Sequence, residues 1–121
     1  MAKHDVTNIN NLPNLAKNEK AAVEEFTKRL REHFGPAVRD IILFGSKAIG
    51  TSQKVSDIDI LIVLTSLSWE TKKAISEMAA RENIKYDVLI STVRYDAETW
   101  DNPVISSSPF GHAVRKQGLW L

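Results

Sequence analysis

From Val38 to Leu64 the chain reads VRDIILFGSKAIGTSQKVSDIDILIVL, and this stretch decides the fold. Val38 to Phe44 is a run of apolar and β-branched residues, which predicts a strand. Gly45 breaks it. Ser46 is placed to cap a short helix over Lys47, Ala48 and Ile49, and Gly50 to Ser56 is a polar loop. Asp57 to Leu64 predicts a second strand, apolar except for its two aspartates.

Outward from this centre the pattern alternates. Asn18 to Phe34 predicts a helix, with Val23, Phe26, Leu30 and Phe34 on one face and Gly35-Pro36 as its stop. Residues 1–17 are polar and asparagine-rich, which predicts a loose N-terminal arm before one domain over 18–121. Ser68 caps a helix running to about Glu82, with Trp69, Ile75, Met78 and Ala79 facing inward. Ile84 to Ile90 predicts a third strand. Ser108-Pro109 opens a last short helix that ends at Gly118. The order is that of an α/β or α+β sheet with helices on one side.

Composition narrows the chemistry. The chain has 121 residues, 43% hydrophobic and 26% charged, which suits one domain with a real core. A net charge of +1 gives no field that would argue for bulk nucleic-acid or membrane binding. Without cysteine there is no disulfide, thiolate zinc site or cysteine nucleophile, so a metal site has only carboxylates and histidines to use. The start has no apolar run of a signal peptide, and no stretch is long enough to span a bilayer, so the expected location is the cytoplasm. His4, His33 and His112 do not cluster in sequence and support no catalytic triad. Arg81, Lys85 and Arg94 read as ordinary surface charge. Trp69, Trp100 and Trp120 read as core or partner-facing residues.

Two local features carry chemistry. A strand, a glycine turn and a helix start at Gly45-Ser46 form an anion site, because the first helical N–H groups lack partners and glycine lets a phosphate approach. Lys47 can add positive charge nearby. Taken alone, Gly-Ser after a strand is an ordinary turn, and there is no Walker loop. The second feature is Asp57-Ile58-Asp59. Strand side chains alternate, so both carboxylates share one face. Such a pair can bind a divalent cation, or it can lie on a solvated strand face. Asp87, in the predicted third strand, can reach the same metal and accept a proton, or it can pair with a neighbouring lysine.

Together, Leu43-Phe44-Gly45-Ser46, a ten-residue interval and Ser56-Asp57-Ile58-Asp59-Ile60-Leu61-Ile62-Val63 resemble the minimal nucleotidyltransferases of the DNA polymerase β superfamily. The resemblance covers roughly residues 20–121. It implies the nucleotidyltransferase fold, a small mixed sheet with helices mainly on one face. It implies that Gly45, Ser46 and Lys47 bind a nucleoside triphosphate, that Asp57, Asp59 and Asp87 hold magnesium, two ions in the full site, and that Asp87 activates an acceptor hydroxyl. The implied reaction moves a nucleotidyl group, AMP if the substrate is ATP, and releases pyrophosphate. The implied acceptor is a partner protein, since many such chains are antitoxins of a helical HEPN ribonuclease toxin. A chain that neutralises the toxin by binding alone, or one that modifies a small molecule or RNA, is the alternative. One position departs from the family. Ile49 stands where a second basic residue is common.

Overall fold

The computed structural model describes residues 5–50 and 57–121. Gly50 apart, the polar loop expected at Gly50–Ser56 lies outside the described residues, as do Met1 to His4.

The sheet has four strands in the order β3-β2-β1-β4. β1 (Val38–Phe44) and β2 (Ile58–Leu64) are antiparallel, with Ile42 opposite Leu61 and Phe44 opposite Asp59. β3 (Ile90–Asp96) lies parallel to β2. A parallel neighbour needs a crossover, and the long helix α3 (Trp69–Tyr86) supplies it. β4 (Leu119–Trp120) adds to the other side of β1, and the sheet is therefore mixed.

Helix α1 (Lys17–Phe34) and α3 pack on one face of the sheet. Between them and the sheet lie Val23, Phe26, Leu30, Ile41, Leu43, Ile58, Ile60, Ile62 and Ile75. Each such aliphatic side chain, buried fully, contributes roughly 1.5–3 kcal/mol. The opposite face is covered by α4 (Ala97–Asp101), α5 (Pro103–Ser106) and α6 (Pro109–Gln117). There Trp100 and Val114 pack on Ile42, Leu61 and Val63. Ser108 caps α6 by accepting the Gly111 N–H at 3.0 Å, and Gly118 follows its last residue, as the sequence predicts. Among the described residues no helix is long and apolar enough to cross a membrane.

Four expectations are revised. The N-terminal segment is not loose over its described length: Leu12 and Leu15 are buried in the main core, and Val6 bridges to Trp120. Two leucines spaced among polar residues give no period, so their burial depends on the groove that α1 and the sheet create. Trp69 is 69% exposed, with Lys73 Nζ 5.4 Å from its ring centroid. It stands off the stripe that buries Ile75, Ala79 and Glu82. Ser46 is the first residue of α2 (Ser46–Ile49), and Gly45 occupies the cap.

The fourth revision concerns residues 84–90. Ile84, Tyr86, Val88 and Ile90 alternate as a strand does, yet α3 continues to Tyr86 and β3 begins only at Ile90. The helical stripe wins because Tyr86 packs against the main core while Ile84 is left 85% exposed. Asp87 ends the helix in the left-handed conformation, φ 54° and ψ 55°, which aspartate tolerates better than most residues. Asn83 pins the turn: its Oδ1 accepts the Ile90 N–H at 2.8 Å.

Candidate active site

Strand parity decides which side chains meet. On β2 the even residues face the long helices, so Asp57 and Asp59 lie on the face that continues into Leu61 and Val63. On that face Phe44 is directly opposite Asp59, and the Phe110 ring of α6 stands edge-on to Phe44 at 5.4 Å. The aspartate pair thus sits at the C-terminal end of β1, beyond the aromatic edge of the second core.

Gly45 is the next residue after Phe44 and adopts φ 74° and ψ −158°. That backbone region is essentially restricted to glycine. A Cβ there would collide with Asp59 Oδ2. Gly45 is therefore required twice, for the turn and for the close approach of the Asp59 carboxylate. The one-turn helix α2 follows, closed by Gly50 in the left-handed conformation.

Burial first, and then the negative charge of Asp57, raise the pKa of Asp59 above the ordinary carboxylate value. Among the described residues no lysine or arginine is ion-paired with either acid. Asp57 Oδ2 accepts a hydrogen bond from Ser91 Oγ at 2.8 Å. Two half-buried carboxylates that repel each other, relieved among the described residues by one hydroxyl on the neighbouring strand, suit a divalent cation. Magnesium in particular takes one or two carboxylates and completes its shell with water and phosphate oxygens.

Not all the expected residues converge here. Gly45, Ser46, Asp57 and Asp59 come together at one end of the sheet. Lys47 does not join them: its side chain is only 5% exposed, and its Nζ lies 3.0 Å from Glu19 Oε2 on α1. Glu19 also accepts the Ala16 N–H at 2.8 Å, so the lysine ties α2 to the start of α1. Asp87 stays apart as well. It is exposed at the end of α3, and among the described residues no three acidic or histidine side chains form a metal cluster. Ser91 was not foreseen, because its place beside Asp59 depends on the register of two parallel strands far apart in sequence.

A model of the nucleotidyltransferase domain matches residues 23–108, most of the chain. The chain belongs to the nucleotidyltransferase domain family. The matched span contains Gly45-Ser46 and Asp57-x-Asp59, and it supports the minimal nucleotidyltransferase resemblance and a nucleotidyltransferase activity. Two relatives are candidate protein adenylyltransferases of Methanocaldococcus jannaschii. One is 35% identical over 74 residues, covering 60% of this chain and 75% of the relative. The other is 31% identical over 87 residues, covering 72% and 83%. Among solved structures, a toxin–antitoxin complex with AMP-PNP is similar at 26% identity and a TM-score of 0.54, covering 80% of this chain and 70% of that one.

Proposed function

We propose that this nucleotidyltransferase transfers AMP from ATP to a hydroxyl on a partner protein, and that the partner is a HEPN-type toxin which the modification silences. The observation that carries the reading is the contact between Gly45 and the Asp59 carboxylate, beside Asp57 on the same strand face. It sets the glycine turn against a carboxylate, a pairing that supports phosphate binding beside a metal in this reading. The protein adenylyltransferase relatives and the toxin–antitoxin complex with AMP-PNP support the choice of adenine nucleotide and of a protein acceptor.

In this reading Asp57 and Asp59 hold magnesium, which when bound neutralises charge on the phosphates and on the leaving pyrophosphate. Gly45 leaves room for the triphosphate, and the backbone of Gly45-Ser46 orients it by N–H donation. The bond formed joins the acceptor oxygen to the α-phosphorus. The bond broken is that from the α-phosphorus to the oxygen bridging to the β-phosphate, pyrophosphate leaves, and the acceptor proton passes to solvent water. Asp87 is given no part in this step, since it stands outside the pair. The reading places the chain in the cytoplasm, where ATP is available.

The test uses labelled ATP, magnesium and the co-expressed helical partner. The expected result is label on the partner with the wild-type chain and none with Asp57→Asn or Asp59→Asn. Label that persists in both variants would sink the assignment.

A second reading is favoured by one observation. Lys47 is committed to Glu19 and Ile49 is apolar, so the α2 segment offers no free basic side chain to the phosphates. An antitoxin that acts by covering its partner would need none. The Asp57→Asn, Asp59→Asn double variant separates the two: retained binding with lost neutralisation excludes this second reading.

A further inference from the structure

The strand beside the aspartate pair presents a hydroxyl, not an acid. β3 runs parallel to β2 with Ile90 opposite Ile58 and Ser91 opposite Asp59. Ile90 is buried under the long helices, whereas Val93 and Tyr95 pack on the other face, so Ser91 shares the face of Asp57 and Asp59. Its Oγ donates to Asp57 Oδ2 at 2.8 Å, and both side chains are half-buried. Asp87 is held off the strand. Its N–H closes α3 on the Asn83 carbonyl, and the Asn18 amide donates to the Tyr86 carbonyl at 3.0 Å.

We propose that Ser91 is the positioning residue of the Asp57/Asp59 metal site, taking the place that a third carboxylate on β3 would hold. This rests on the metal reading given above. The torsion that turns a carboxylate about its last bond is soft, so an unsupported Asp57 samples many orientations. A hydroxyl donating to one anionic oxygen makes a charge-assisted hydrogen bond, which fixes the group and leaves Oδ1 for the cation. Partners that orient a metal ligand in this way typically change metal affinity 10–100-fold when removed. Ser91 touches neither nucleotide nor acceptor in this proposal. It acts through Asp57.

Manganese binding to the full chain tests this without reference to turnover, read as loss of the free-ion electron paramagnetic resonance signal. Wild type is expected to bind, and Asp57→Asn to abolish binding. Ser91→Ala should weaken affinity by about tenfold, at the lower end of that range, and Ser91→Thr should restore it to within about twofold because the hydroxyl returns. Asp87→Asn should leave affinity unchanged. The proposal is overturned if Ser91→Ala binds as wild type does, if Ser91→Thr binds no better than Ser91→Ala, or if Asp87→Asn loses as much affinity as Asp57→Asn. If the wild type itself binds no manganese, the metal reading fails and this proposal fails with it. Binding by the wild type with an unaffected Ser91→Ala overturns this proposal alone.

Discussion

Replacing Lys47 with methionine separates a structural lysine from a phosphate-binding one. The substitution keeps an unbranched side chain of similar length and removes the charge. It leaves Glu19 with a carboxylate that is only 14% exposed and has lost its cation. Breaking one side of a buried ion pair costs about 3–5 kcal/mol. Glu19 keeps the Ala16 N–H and some contact with water, so the low end, about 3 kcal/mol, is expected. An unfolding entropy of about 2.1 cal/mol/K per residue over 121 residues turns that into a fall in Tm of about 12 °C. The assay is thermal unfolding followed by circular dichroism, run beside an ATP titration. Lys47→Met should lower Tm by this amount and change the KM for ATP by less than about twofold. Adding Glu19→Gln should recover most of the loss, since a buried ion pair replaced on both sides is often close to neutral. A double-mutant cycle should then show coupling of about 2 kcal/mol. A Tm within about 2 °C of wild type together with a tenfold rise in KM would refute the structural role and return Lys47 to the phosphates.

Three further outcomes follow from the geometry. Gly45→Ala should cost about 1–3 kcal/mol from its backbone conformation alone, and, because the added methyl meets Asp59, should abolish manganese binding; calorimetry and metal titration check the two effects separately. Trp100→Ala, at a side chain only 2% exposed, should cost about 3–5 kcal/mol by emptying the second core and releasing Arg115, whose guanidinium lies 4.2 Å from its ring centroid; urea unfolding measures it. Glu82, wholly buried between α1 and α3, has a pKa pushed up to about 7 by burial and by the nearby Glu25 carboxylate. Its folded-state proton is retained where the unfolded chain has lost it, so stability from this group is full below about pH 4.5 and is lost as pH rises towards 7. Glu25, lowered to about 2 by the protonated Glu82 beside it and by the hydrogen bond it accepts from Lys85, acts oppositely: its contribution is present above about 4.5 and is lost as pH falls towards 2. Glu82→Gln should flatten the fall in Tm between pH 5 and 7, and an unchanged profile would rule out this account.

The stretch from Val38 to Leu64 was legible because its information is local. An apolar run, a glycine break and an i, i+2 pair of aspartates need only strand alternation to place Asp57 and Asp59 on one face, and α1 and α6 announce themselves by period and cap. The family likeness added the chemistry of that pair. Residues 84–90 are ambiguous in sequence because two periods compete there, with Ile84, Tyr86, Val88 and Ile90 alternating while Ile75, Ala79, Glu82 and Tyr86 continue a helical stripe. Packing against the sheet chose the second, and moved Asp87 from a strand to a helix end. Glu82 sat on that stripe in plain view, but a charged residue at a core position is read as an interruption until its neighbours Glu25 and Arg29 are in place.

The sequence by itself therefore determined the strand–turn–helix at Gly45-Ser46 and the shared face of Asp57 and Asp59, since both follow from torsions and spacing within a few residues. Only the tertiary structure decided what each charge or hydroxyl nearby is used for. It turned Lys47 to Glu19, 28 residues away, and brought Ser91 to Asp57, 34 residues away. Such pairings depend on strand register and helix packing, which are settled by the burial of the whole core and leave no mark at the positions they join.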